Sequence, residues 1–201
     1  MLAIAGGKGG SGKTTTTLGV ARAIDGPTLA VDADCDLPNL HGLAGVPRDP
    51  PPGDHGHPDP FDPTGTRIVP APRDAPDGIG GLLRRLREDG ESGLAVVDCP
   101  AGAGPDATVP LRVADRVLVV STACVAGLRD AAKTAAMARA GGTSVAGGVV
   151  TRARLTPPGV ENLLGCPVVA TVPEAADPLD DGGVRRAYRR VARAVTRRQK
   201  A

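Results

Sequence analysis

The chain has 201 residues and a net charge of +2, enough for one full-sized domain with a core of its own. One Phe, one Tyr and no Trp leave aliphatic side chains to fill that core, and no apolar run approaches the length of a membrane span. Four scattered cysteines (Cys35, Cys99, Cys124, Cys166) without a CxxC pair argue against a zinc site or a thiol redox motif. The first residues lack a charged segment followed by a cleavable apolar run, so no signal peptide is read and a cytoplasmic protein with reduced thiols is expected.

Short apolar runs alternate with longer amphipathic stretches. Strands are expected at Leu2–Ala5, Thr28–Val31, Arg67–Val69, Leu94–Val97, Arg116–Val120, Val145–Val150 and Val168–Val172. Helical spacing covers Lys13–Ile24, Gly80–Arg87, Ala126–Ala140 and Val184–Arg197. Continuously apolar strands separated by helices indicate a parallel sheet covered on both faces, a single doubly wound α/β domain over 1–201.

The first strand runs into Gly7-Lys8-Gly9-Gly10-Ser11-Gly12-Lys13-Thr14, which fits G-x-x-x-x-G-K-[ST] and opens a helix. Glycines here let backbone N–H groups surround an anion at the positive end of a helix dipole. Lys13 would reach the β and γ phosphates of a nucleotide, Thr14 would offer its hydroxyl to Mg²⁺, and Thr15 falls where an α phosphate belongs. The general pattern gives Lys8 no task. The second strand ends in "AVDADCDLPNL" (Ala30 to Leu40), with Asp32, Asp34 and Asp36 at its polar end.

The segment 46–66, "VPRDPPPGDHGHPDPFDPTGT", is crowded with Pro, Asp and Gly and reads as a long mobile surface loop. His55 and His57 with Asp54 and Asp59 suggest a metal site only on paper, because no rigid element would hold them. Further on, "LAVVDCPAGAG" (Leu94 to Gly104) has the Walker B form: four apolar residues deliver Asp98 to the metal shell. Cys99 beside it reads as a small buried residue.

With these three motifs in place, K-G-G-x-G-K-T-T at Lys8–Thr15 resembles the deviant Walker A motif of the ParA/MinD family of ATPases. The resemblance implies a P-loop ATPase that closes as an ATP-dependent homodimer, with Lys8 reaching the phosphates held by the partner subunit. It makes Ala30–Leu40 a switch I segment, with Asp32 near Mg²⁺ through a water and Asp34 orienting the attacking water. It makes Leu94–Gly104 a switch II segment, with Asp98 in the metal shell and Gly102 giving its N–H to the γ phosphate. "VADRVLVVSTACVAGLRDAAKT" (Val113 to Thr134) continues the likeness, and "VVATVPE" (Val168 to Glu174) resembles the strand and loop beside the adenine, which nominates Pro173 and Glu174 for backbone contacts to the base. Thr151 stands where many relatives carry a base-reading Asn, and a hydroxyl makes fewer hydrogen bonds than an amide.

Residues 181–201 carry seven arginines and one lysine against one aspartate, so the other 180 residues sum to −5. Val184, Ala187, Tyr188, Val191 and Val195 fall at helical spacing in a basic C-terminal helix over 184–201. Two readings stay open: the solvated face of the fold's own last helix, or a surface for anionic lipid or DNA, with the protein peripheral to membrane or nucleoid.

The expected function is an Mg²⁺–ATP-dependent dimerising ATPase acting as a switch in spatial positioning or partitioning, its slow turnover raised by a protein activator. The alternatives are a nucleotide-gated binding protein with negligible turnover, an iron–sulfur carrier ATPase, for which the cysteines are poorly spaced, and a metabolic kinase or amide synthetase, which usually lacks a lysine at the Lys8 position.

Overall fold

The computed structural model describes residues 1–7, 9–49, 56–73, 78–89, 93–102 and 104–197; Lys8, Asp54, His55 and Arg198–Ala201 lie outside the described residues. Eight strands form one sheet: β1 (Leu2–Ala5), β2 (Thr28–Asp32), β3 (His57–Asp59), β4 (Asp62–Val69), β5 (Leu94–Asp98), β6 (Arg116–Thr122), β7 (Ser144–Thr151) and β8 (Val168–Val172). Their order is β3-β4-β2-β5-β1-β6-β7-β8, parallel throughout except for the antiparallel edge strand β3. Seven helices lie among the described residues: α1 (Lys13–Ala21), α2 (Leu40–Ala44), α3 (Gly78–Glu88), α4 (Pro105–Val113), α5 (Val125–Ala140), α6 (Val160–Leu164) and α7 (Gly182–Arg197). The doubly wound α/β architecture expected from the sequence is the one found.

Strand alternation divides the core into two layers. Leu2 and Ile4 of β1 face one side with Ala30, Ile68, Val96 and Leu118, where α1, α2 and α7 cover them. Ala3 and Ala5 face the other with Val31, Val97 and Val119, under α3, α4, α5 and α6. Small side chains replace aromatic bulk: Ala131, Ala135 and Ala138 of α5 are almost completely buried, which brings that helix close to the sheet.

Three expectations need correction. The segment 46–66 is not one mobile loop: β3 and the start of β4 lie within it. Pro58 is tolerated because β3 is an edge strand, and Pro63 precedes the stretch Thr66–Val69 that pairs with β2. The hairpin is pinned by Arg22, whose Nε and Nη2 donate to Asp59 at 2.6 and 2.9 Å. Asp59 is therefore an ion-pair partner, and His57 Nε2 lies 2.9 Å from the Asp49 carbonyl oxygen. Secondly, α2, α4 and α6 went unread: two have only five residues, and α4 begins with Pro105 and contains Pro110. Thirdly, the apolar stripe of the last helix is core. Val184, Ala187, Tyr188, Val191 and Val195 are all buried against α1 and β8, which selects the fold's-own-helix reading for that face.

Strand β1 lies between β5 and β6, and the chain order departs in opposite directions from it. In open α/β sheets the crevice beyond the strand ends at such a point is where ligands bind.

Candidate nucleotide site

The loop after β1 occupies that crevice. Gly12 caps α1 in a left-handed conformation, φ 86° and ψ 23°, which an L side chain rarely adopts. At Gly7 a Cβ would run into Asp130 of α5, so glycine there lets the loop start press against that helix. Lys13 and Thr14 open α1.

A cavity of about 760 Å³ lies in front of α1, within the range of small-molecule sites. Its walls come from the loop (Gly9, Gly10, Gly12), from Lys13, Thr14 and Thr15, from Asp34 and Asn39 after β2, from His41 of α2, and from Asp98 at the end of β5. A second cleft of about 320 Å³ adjoins it and shares Gly12, Thr15 and Arg152; Pro173, Glu174 and Tyr188 complete it. Segments more than 150 residues apart in sequence thus form two adjoining hollows, the larger one at the start of α1.

Asp98 is the electrostatic centre. It is 2 % exposed, and burial pushes its carboxyl up to about 7. The hydrogen bond from the Thr14 side chain and the charge of Lys13 pull it back, while Asp32 and Asp34 push it further up. Three carboxylates thus face one buried lysine, an excess of negative charge that suits a divalent cation with oxygen ligands. Ser11 supports a ligand as well: its buried Oγ has no hydrogen-bond partner among the described residues.

Asp32 is held by the backbone that follows it. It is fully buried, its Oδ1 accepts from Asp34 N at 3.0 Å, and its Oδ2 accepts from Asn39 N and Leu40 N, both at 3.1 Å. It gathers the loop after β2 and holds the start of α2. Burial raises its pKa against these three backbone donors, with the charge of Asp34 adding to the rise. Asp34 does line the cavity, with Oδ1 accepting from Leu37 N at 3.1 Å. Gly102, at φ 94°, lies in the turn between Asp98 and α4, where Ala101 and not Gly102 borders the cavity.

Thr151 lines the second cleft, where the sequence expects it. Its hydroxyl donates to the Ser11 carbonyl at 2.8 Å and lies 3.2 Å from that of Ser121, so it also ties β7 to the loop. Its methyl group packs beside Gly12. Sequence reading passed over three lining residues: His41 of the larger cavity, Tyr188 of the smaller cleft, and Arg152, which borders both. Arg152 lies just past the carboxyl end of β7, the signal that would have found it. His41 has a buried Nδ1 without a partner among the described residues. Cys99 is buried, which pushes its thiol up and leaves it unreactive. Among the described residues no group of three or more His, Cys, Asp or Glu is arranged to hold a metal by protein ligands alone.

Residues 2–179 match the CobQ/CobB/MinD/ParA nucleotide binding domain. An uncharacterized ATP-binding protein of Methanocaldococcus jannaschii is 33% identical over 196 residues, covering 86% of this chain and 74% of that one. A putative septum site-determining protein MinD of Emiliania huxleyi is 28% identical over 205 residues, covering 87% and 74%. Among solved structures, the cell division ATPase MinD of Pyrococcus furiosus superposes with a TM-score of 0.81 at 23% identity, covering 98% of both chains, which speaks for the fold. With the family model matching nearly the whole chain and a relative one third identical, the chain belongs to the CobQ/CobB/MinD/ParA family of P-loop nucleotide-binding domains.

Proposed function

We propose that the chain is an Mg²⁺–ATP-dependent ATPase of the MinD/ParA type whose ATP-bound form dimerises, acting as a switch in spatial positioning or partitioning. The observation that carries the reading is the meeting of Lys13, Thr14 and the buried Asp98 in one cavity at the start of α1. Backbone N–H groups of Gly9–Thr15 would hold the phosphates, with Lys13 at the β and γ groups and Thr15 at the α. Mg²⁺ would be held by the Thr14 hydroxyl, with Asp98 in its shell and Asp32 further out, and would supply neutralisation of charge gathering on the phosphates.

Asp34 would orient the attacking water. Its side chain borders the cavity, and the bond from Leu37 limits its freedom to swing away. The Gly102 N–H would approach the γ phosphate only if its turn moved, a rearrangement suited to telling ATP from ADP. Lys8 would act across the dimer. Pro173 and Glu174 would border the base, since they line the second cleft. Five exposed arginines of α7 (Arg185, Arg186, Arg189, Arg190, Arg193) would contact a polyanion, with DNA favoured over lipid because the helix's apolar stripe is already buried.

The test combines phosphate release with mass in solution by light scattering, for wild type, Lys13→Ala, Asp34→Ala and Lys8→Ala. Expected are Mg²⁺-dependent turnover lost in Lys13→Ala and Asp34→Ala, and an ATP-only dimer trapped by Asp34→Ala and missing in Lys8→Ala. ATP binding with no turnover, unaltered by Asp34→Ala, would instead identify a nucleotide-gated binding protein. A monomer under all conditions would remove the role given to Lys8.

A further inference from the structure

Arg152 has a positive φ, 52°, and is the one such non-glycine residue among the described residues. An L side chain in this region carries strain, and such strain persists only where the surroundings impose it. Here they do, on both sides. Before it, Thr151 is tied through its hydroxyl to the Ser11 carbonyl of the phosphate loop. After it, Ala153 N donates to the Val172 carbonyl of β8 at 3.0 Å. The kink between these two anchors points the chain at the seam of the site, because Arg152 borders both the larger cavity and the smaller cleft. The guanidinium is exposed and forms no ion pair among the described residues, although Glu174 borders the same cleft.

What joins a base in one hollow to the β and γ phosphates in the other is the ribose and its α phosphate. A planar guanidinium with five donors suits a phosphate oxygen pair at that junction, and an ammonium does so less well. We propose that Arg152 is a nucleotide-binding residue that clamps the α phosphate at the seam between the phosphate cavity and the base cleft, and that its left-handed backbone is the strain accepted for this position. The inference rests on the nucleotide reading above. Because every adenine nucleotide has an α phosphate, the contact acts on ATP and ADP alike.

The experiment is calorimetric titration of ATP–Mg²⁺ and ADP–Mg²⁺ into wild type, Lys13→Ala, Arg152→Gly, Arg152→Ala and Arg152→Lys, with the melting temperature of each nucleotide-free protein. Affinity for both nucleotides should fall by a similar factor, on the order of ten- to a hundredfold, in Arg152→Gly and Arg152→Ala, and less in Arg152→Lys. Glycine accepts the positive φ and alanine does not, so the nucleotide-free Arg152→Gly protein should melt no lower than wild type and above Arg152→Ala. Unchanged affinity in Arg152→Gly overturns the inference, as does loss of ATP affinity with ADP untouched, which would move the side chain to the γ phosphate. Those outcomes leave the nucleotide reading standing as long as wild type binds and Lys13→Ala does not. Wild type that binds neither nucleotide removes both.

Discussion

Asp98 shows at the scale of one residue how the site sets itself against the stability of the nucleotide-free protein. Its carboxyl titrates at about 7 in the fold, chiefly because it is buried, against about 4 in an unfolded chain. Between those pH values the folded chain holds a proton that the unfolded chain has lost. The contribution of this group to stability is therefore complete below about pH 4 and is lost as pH rises through 7. Asn in its place carries no charge to bury. Nucleotide-free Asp98→Asn should melt higher than wild type at pH 8, by as much as about 4 kcal/mol of stability, with the gap closing toward pH 4. The same substitution should abolish the Mg²⁺ dependence of ATP binding. A gap that does not change with pH, followed by thermal melts across the range, would mean that the fold does not shift the Asp98 carboxyl.

The motif residues divide by what a sequence can encode. Lys13, Thr14 and Asp98 were legible because spacing next to an apolar run defines both the strand end and the helix start. Asp32 and Thr151 were legible as positions but not as contacts. Which lone pair of Asp32 meets which N–H depends on how the loop up to Leu40 folds back, and the partners of Thr151 lie 140 and 30 residues away along the chain. Arg152 was legible as a position past the end of β7 but not as a strained residue, because backbone strain leaves no mark on composition.

At the scale of elements, the β3–β4 hairpin was the part least readable. Its prolines, glycines and aspartates look like loop, and what makes it sheet is an ion pair formed at a distance. Asp59 is fully buried, and Arg22, from the end of α1, meets it with two donors and lies with its guanidinium carbon 4.8 Å from the centre of the Phe61 ring. A buried pair is costly to break from one side, since the remaining charge has no partner. Asp59→Ala should cost about 3 kcal/mol, read as a lower urea midpoint. Arg22→Ala with Asp59→Ala should cost clearly less than the two single changes added together. Strict additivity would show that the hairpin is held by its ladder alone. The repetitive strands β1, β5 and β6 needed no such support to be recognised, because each is apolar on both faces, and that follows directly from helices covering both sides of a parallel sheet.

Over the whole molecule, charge and packing in α7 act on different partners. Its buried side supplies Val184, Ala187, Tyr188, Val191 and Val195 to the core, and a Cβ at Gly19 of α1 would strike the Tyr188 ring, so this helix is part of the fold and not an appendage. Laying the stripe into a bilayer would strip the sheet of that cover. The solvent side offers five arginines and little apolar area, so the attraction available to it is to phosphates, through counterion release. We expect duplex DNA of any sequence to be bound weakly, with a log–log salt slope of magnitude about 4.5 if all five arginines meet phosphates, followed by fluorescence anisotropy as salt is raised. Arg189→Glu with Arg193→Glu should lower both the affinity and the slope. ATP should strengthen binding if the dimer forms, since two α7 faces then act on one polymer. Retention on anionic vesicles that survives high salt would contradict this, because it would require apolar insertion and hence release of α7 from β8.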